Sequence, residues 1–501
     1  MMHRPSAQRT EVLIVGAGLG GLAAGHELRE NGIDDFVILD RGQRLGGVWR
    51  ENHYPNVACD TPIELYAFSF FQGTNWSRNF AAGSEILAYL EELARRYDLA
   101  RSIALETDVA SAAWDAGEQR WTVEAADGRA WTSRFIIWAG GLLSQPRIPA
   151  FPGAAAFHGP VVHTAQWHDD IDLTGKNVAV VGGGASSIQV LPYAAEHAKQ
   201  VYAFVRTPSH VLPKPERMYV DDDRRRFASD PRAQLEIRAQ LSDEMEDIAR
   251  ARFPMNEPFI ESIEAKWRAF IEAEVRDPAV REVLTPRYRF SCRRPLVSND
   301  YYRVFNQANV AAIGSGLASL TENAAVAEDG RAFEVDAVIL ATGYDAAGML
   351  GRFHVAGRDG HDLAQAWKAY PEAYLGTLVK GFPNLFLVNG PNLGAPAVTE
   401  IVEAQTKYIA ACIAHVQAHD VGSIEVKPDV SDEYNRELQA RFTESVLLRG
   451  GCTSWYRAGG GTGAVFSHWP GTLGAYKASV ASPDIAEFLV TPRTVSAILR
   501  S

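Results

Sequence analysis

The chain has 501 residues, 47% of them apolar and 22% charged, which suits a globular protein of two or three domains. Its formal net charge of −12 argues against nucleic acid and anionic membrane surfaces as partners. Phosphate ligands stay open, because local amides and single basic side chains can hold them.

The opening MMHRPSAQRT is too short and too polar for a secretory signal, and no run of about 18 apolar residues follows, so a cytoplasmic protein without a membrane span is expected. The next stretch, EVLIVGAGLGGLAAGHELRENGIDDFVILDR, has the order strand, glycine turn, helix, strand. In its GxGxxG, Gly16 permits the tight turn, Gly18 lets the backbone approach a pyrophosphate, and Gly21 packs helix on strand. Asp40 ends the second strand 19 positions after Gly21 (40 − 21), where a carboxylate accepts hydrogen bonds from a ribose diol. ALETDVASAAWD and RWTVEAADGRAWTSRFIIWAGG then alternate as strands, and LLSQPRIPAFPG is a proline-rich connector.

A second unit follows in NVAVVGGGASSIQVLPYAAEHAKQVYAFVRTP. Gly182 and Gly184 hold the first two glycine positions and Ser187 the third, with Ser186 and Gln189 beside them as further cofactor-binding candidates. Arg206 stands 19 positions after Ser187 (206 − 187), where the first unit has Asp40. A cation there suits the 2′-phosphate of NADPH, so FAD is expected in the first unit and NADPH in the second.

From about 221 to 290 the chain turns charged and helical, as in AQLEIRAQLSDEMEDIARARF, which reads as an insert with solvated faces. EVDAVILATGYD closes the second unit near 345. FPNLFLVNGPNLGAP is another apolar strand, and an amphipathic helix is expected from about 397 to 417, its positive end suited to a reduced flavin. The expected fold is α/β, with two Rossmann-like dinucleotide-binding domains for FAD and NADPH, the second carrying the helical insertion. The FAD domain takes residues 1–150 and 346–501, and the NADPH domain 151–345. Cys59, Cys292, Cys412 and Cys452 are far apart and form no CxxC pair. Their spacing argues against a disulfide scaffold, a metal cluster and a redox dithiol, so four reduced thiols are expected.

Between the two units lies FHGPVVHTAQWHDD, with Phe157, Gly159, His163 and Trp167 in the pattern FxGxxxHxxxW. This resembles the fingerprint of type I Baeyer–Villiger monooxygenases, which ends in Pro or Asp where this chain has His168. Related enzymes that oxidise nitrogen or sulfur usually carry Tyr or Phe at the position of Trp167. GGVWRENHYPNVACD, from Gly46 to Asp60, resembles the family's second signature, with Asn56 in place of Gly or Met. CRRPLVSNDYYRVFNQANV, ATGYDA and GCTSWYRAGGGTGAVFSHWPGT also resemble the family, so the similarity covers nearly the whole chain.

The resemblance implies a flavoprotein in which NADPH reduces FAD and oxygen adds to give an anionic flavin peroxide. That peroxide attacks a ketone and inserts oxygen beside the carbonyl, so a small ketone and O₂ are the implied partners. It assigns Arg294 to stabilise the negative charge and Asp60 to hold it. Arg293 would join Arg206 and Thr207 at the 2′-phosphate, while Trp49, Asp60, Tyr66 and Val109 line the FAD site. His163 is implied as part of a joint between the two nucleotide units. An enzyme oxidising nitrogen or sulfur shares both nucleotide units and is the alternative reading. Neither the ketone nor the oligomeric state is written in the sequence.

Overall fold

The computed structural model describes residues 7–349, 353–394 and 397–494. Strand Gln8–Val15 is the centre of the first sheet, with Val12, Leu13 and Ile14 wholly buried. A strand covered on both faces needs a continuous apolar run, which is what this segment supplies. Phe36–Leu39 and Ala130–Trp138 flank it in parallel, and Ile103–Ala104 pairs with Phe36–Leu39 at the edge. Val109–Asp115 and Arg120–Ala125 extend the sheet as antiparallel neighbours. Two further strands come from late in the chain: His354–Ala356 pairs with Val109–Asp115, and Leu385–Leu387 pairs with Ala130–Trp138. One eight-stranded sheet therefore joins segments more than two hundred residues apart.

The second sheet has five parallel strands, in the order Val310–Ile313, Gln200–Phe204, Asn177–Val181, Ala337–Leu340 and Val161–His163. His163 ends its edge strand. Helix Leu19–Glu30 follows the first glycine turn and helix Ala185–His197 follows the second.

The insert forms helices Asp221–Ser229, Pro231–Arg252, Glu257–Glu274 and Pro278–Val283. Asp230 caps the longest by accepting from the Arg232 amide, and Pro231 occupies its first turn, where the missing N–H costs nothing. The insert interrupts the second unit in sequence, yet its long helix rests on the first. Arg238, 6% exposed, donates to the carbonyls of Glu64, Leu65 and Ala67 and pairs with Glu403 at 3.1 Å. Tyr219 also hydrogen-bonds Glu64. The face carrying Arg238 is thus an interface, not a solvated surface.

The helix expected near 397 runs Val398–Ala418, and it is buried on most of its circumference rather than amphipathic. The polar residue that makes this tolerable is Gln405, which is fully buried. Its amide donates to Gly376 O, Thr377 Oγ1 and Leu387 O at 2.8–3.0 Å and accepts from Asn389 N at 2.7 Å. Every polar atom of that side chain has a partner, so the helix is pinned to the Leu385–Leu387 strand.

The cysteines do not stay reduced as expected. Cys292 and Cys452 form a disulfide, with Cα atoms 6.0 Å apart, across 160 residues of sequence. No local spacing signals a bridge of that span, because the fold alone brings the two segments together. Cys59 and Cys412 are free and buried, and burial pushes both thiols up to about 12.

Two outcomes follow from this packing. Gln405→Leu removes the side-chain partner of the Gly376 and Leu387 carbonyls and of the Asn389 amide, at about 2–4 kcal/mol. The thermal midpoint of the flavin-loaded protein then falls by about 5 °C or more, as read by scanning calorimetry. Alkylation in denaturant without reductant labels only Cys59 and Cys412, and all four cysteines after reduction, as mass spectrometry counts.

Candidate cofactor sites and active centre

At the first turn Gly16 has φ +106°, and a Cβ there would lie 2.5 Å from the Ala139 carbonyl oxygen. A Cβ on Gly21 would stand 1.8 Å from the Gly16 carbonyl oxygen, so helix and turn approach only without side chains. Gly18 faces Gly47, where a Cβ would come within 3.0 Å of the Gly18 Cα. No side chain caps helix Leu19–Glu30, which leaves its first amides to an anionic ligand. Asp40 is buried beside this turn. One carboxylate oxygen accepts from Ala17 N at 2.7 Å, and the other from Gly42 N at 2.8 Å and Arg50 Nη1 at 2.5 Å. Arg50 was not visible as a site residue from sequence, although it lies within the GGVWRENHYP signature.

At the second turn Gly182 has φ +143°, and a Cβ there would lie 2.4 Å from the Ala341 carbonyl oxygen. Ser187 replaces the third glycine without loss, because its hydroxyl donates to the Gly182 carbonyl at 2.8 Å. Gly184 opens helix Ala185–His197 with no side-chain cap and with open space where a Cβ would be. Ser186 sits in the first turn of that helix, half-buried. Arg206 is 73% exposed and lies 3.7 Å from Glu328. Thr207 packs its carbonyl against Gly183, 2.8 Å from where a Cβ would be. Arg293 stacks over Tyr288 at 5.9 Å, and the Tyr288 hydroxyl donates to the Pro208 carbonyl. These three candidates therefore gather around one short segment at the end of strand Gln200–Phe204.

Gln189 is turned toward the first unit. It accepts from the Tyr54 hydroxyl at 2.7 Å and donates to the Ala58 carbonyl at 2.9 Å. Tyr54 belongs to the Gly46–Asp60 segment, yet it is buried in one apolar cluster with Trp167, Val178, Val180 and Leu191. Both signatures thus meet in the core of the second unit. His163 Nδ1 accepts from Ala165 N, and its ring lies edge-on to Tyr344 at 6.2 Å. The Tyr344 hydroxyl in turn donates to Asn52 at 2.8 Å. Asn56 has φ +66°, a conformation glycine adopts freely and asparagine tolerates. His168 is exposed, so its side chain stays outside this packing.

Arg294 and Asp60, 234 residues apart, form a two-point ion pair: Nε to Oδ2 at 3.1 Å and Nη2 to Oδ1 at 2.5 Å. Asp60 is largely buried and Arg294 is half-exposed. The Asp60 carboxylate holds the guanidinium above its ordinary range, so it stays charged. Tyr66 is tucked behind the pair, accepting from Trp49 Nε1 at 2.9 Å with the rings edge to face. Val109 is buried where its strand begins, two residues after Thr107, whose amide donates to the Asp40 carbonyl.

Three residues not singled out from sequence join Arg294. The rings of Tyr456 and His468 lie 4.0 Å apart, and His468 Nδ1 is 2.8 Å from the Ser467 hydroxyl. Burial, then the charges of Arg252 and Arg294, hold His468 well below the usual histidine range, so it is neutral. Both aromatic residues fall in the tail segment GCTSWYRAGGGTGAVFSHWPGT, which gave a signal without assigning roles. Arg252 ends the helix Pro231–Arg252 and gave none.

Residues 13–251 match the pyridine nucleotide-disulphide oxidoreductase family. That match spans both glycine turns, whereas the Cys292–Cys452 bridge lies outside it and is no adjacent dithiol. A Baeyer–Villiger monooxygenase of Pseudomonas aeruginosa is 36% identical over 98% of this chain and 94% of its own. An oxidised steroid monooxygenase bound to NADP is 30% identical, with a TM-score of 0.86 over 97% of this chain and all of its own. Cyclohexanone monooxygenase from Rhodococcus sp. Phi1 bound to NADP⁺ is 27% identical, with a TM-score of 0.87 over the same shares. With two uncapped glycine turns, the aromatic joint and this full-length likeness, the chain belongs to the Baeyer–Villiger monooxygenases, a family of NADPH-dependent flavoprotein monooxygenases.

Proposed function

We propose that this enzyme converts a ketone, O₂, NADPH and a proton into an ester or lactone, NADP⁺ and water. The observation that carries the reading is the two-point pair of Arg294 with Asp60, presented half-open beside a buried aromatic cluster. When bound, FAD reduced by NADPH supplies the activation of O₂. The chain's own residues bind and orient. Gly16, Gly18 and Gly21 leave room and free amides for the FAD pyrophosphate, and Asp40 is fixed where the adenosine ribose would lie. Gly182, Gly184 and Ser187 do the same for NADPH, with Arg206, Thr207 and Arg293 placed for its 2′-phosphate.

Nucleophilic addition to a ketone puts negative charge on the carbonyl oxygen. Arg294 meets that charge as a cation that does not release its proton, and Asp60 fixes its plane in advance. Because Asp60 also offsets part of the charge, the ground state is not over-stabilised before the charge develops. His468 is neutral and cannot add a second formal charge on its own side.

Wild-type enzyme is expected to use NADPH in strong preference to NADH. Arg206→Ala raises the KM for NADPH about tenfold, the value of one charge-assisted contact at an exposed site, and narrows the preference. Equal efficiency with both nucleotides in the unmutated enzyme would overturn the placement. Arg294→Ala retains FAD and is still reduced by NADPH, while ester formation falls about 10²–10³-fold and hydrogen peroxide is released instead. Stopped-flow reduction beside product analysis separates the two effects. If labelled oxygen from O₂ appears only in sulfoxides or N-oxides across a broad panel, oxidation of nitrogen or sulfur is the better reading.

A further inference from the structure

Among the described residues, three arginines are nine-tenths or more buried: Arg134, Arg238 and Arg252. Two of them are saturated. Arg134 pairs with Glu11 and donates to the Val421 carbonyl, and Arg238 meets three carbonyls and Glu403. Arg252 is 7% exposed and has no hydrogen bond or ion pair to any described residue, and its Nε is sealed from solvent without an acceptor. Its guanidinium lies over the ring of the next residue, Phe253, at 5.3 Å.

A buried guanidinium without an anion costs several kcal/mol, because water is removed and nothing replaces it. The helix C-terminus where it sits favours a cation by only about 1 kcal/mol. No described residue supplies that anion. Its electrostatic neighbours are Tyr456, Arg294 and the neutral His468, which place it at the active centre. Arg294 is already matched by Asp60, so the cluster keeps one unmatched positive charge. The FAD pyrophosphate and the NADPH phosphates are assigned to the two glycine turns and the charge that develops during oxygen insertion to Arg294, so a standing anion for Arg252 is sought on the substrate.

We propose that Arg252 is the anchor for a carboxylate carried by the ketone, so that the preferred substrate is a keto acid. This deepens the ketone reading above and rests on it. A single negative charge balances the single unmatched guanidinium, and the planar fork takes a carboxylate at two points. The carboxylate end is held by the insert while the carbonyl end meets Arg294. Burial makes that contact stronger than the same pair in water and penalises a neutral substrate that leaves the guanidinium empty.

The test uses flavin-loaded enzyme with levulinate and its longer methyl-ketone homologues, each beside its methyl ester. In the wild type, kcat/KM for at least one carboxylate exceeds that for its ester by about tenfold or more, as expected for a charged hydrogen-bonded contact. Arg252→Met, similar in volume, lowers that ratio at least tenfold, and Arg252→Lys lowers it less. Binding of unreactive hexanoate, followed by the flavin absorbance, weakens in parallel in Arg252→Met. Equal loss on carboxylates and esters would show that Arg252 serves the reacting carbonyl instead, and would overturn the proposal. A wild type that favours every ester, or fails to bind hexanoate, overturns it without any variant, including the case where Arg252→Met does not fold. If no ketone yields an ester but hexanoate binds and Arg252→Met abolishes this, the oxygen-insertion reading falls and the anion site stands.

Discussion

The contact on which the candidate active centre depends is the ion pair of Arg294 with Asp60. Neither partner is useful alone. An unheld arginine samples many rotamers, and a buried carboxylate without a cation would shift toward its neutral form. Closing the pair requires the Gly46–Asp60 loop of the first unit to meet the segment that follows the helical insert. The insert's docking makes this possible, because Arg238 ties its long helix to the carbonyls of residues 64, 65 and 67, just past Asp60. The Cys292–Cys452 bridge then fastens the other side, two residues before Arg294 and four before Tyr456. Three parts of the chain are thereby fixed around one guanidinium.

The joint between the nucleotide units is built on a different principle. Tyr54 enters the core of the second unit beside Trp167, and its hydroxyl reaches Gln189. His163 approaches Tyr344 edge-on, and Tyr344 reaches Asn52. These contacts are rings and neutral hydrogen bonds, each worth about 1 kcal/mol. Such a joint can re-form after small rotations, since rings slide and neutral partners lose little when separated. Ion pairs at the same place would lock one orientation and leave costly buried charges whenever it opened.

What the sequence disclosed follows the range of each constraint. The glycine turns were legible because their requirement is steric and local: Gly21 must lack a side chain with the Gly16 carbonyl so close, and the pattern of residues records it. The substitution of Ser187 was legible as a departure, but its hydroxyl bond to the Gly182 carbonyl was not. The Arg294 and Asp60 pairing came only through likeness to a family, since no spacing rule joins positions 234 apart. The disulfide was misread for the same reason. The insert's charge run reads as solvated, although Arg238 and Arg252 on it are buried; composition cannot distinguish a charge facing water from one facing carbonyls. The helix Val398–Ala418 is expected to be amphipathic, and its burial is not legible because the four partners of Gln405 come from distant segments.

The charges of the active centre form a graded series. Asp60 is matched by Arg294, Arg252 is unmatched, and His468 is held neutral by burial and by both cations. Placing two guanidiniums near one another is unfavourable unless anions separate them, and among the described residues Asp60 is the one anion paired with either. The arrangement therefore stores a deficit of one negative charge in a poorly hydrated place. A neutral His468 keeps that deficit from growing as pH falls toward the ordinary histidine range, because its proton is disfavoured by the same two cations. In the keto-acid proposal a bound carboxylate satisfies the deficit, so part of its binding energy comes from relieving an uncompensated buried charge. That trade costs stability in the ligand-free protein and returns it as affinity, which is how a buried polar cluster can be poor for the scaffold yet useful for the site.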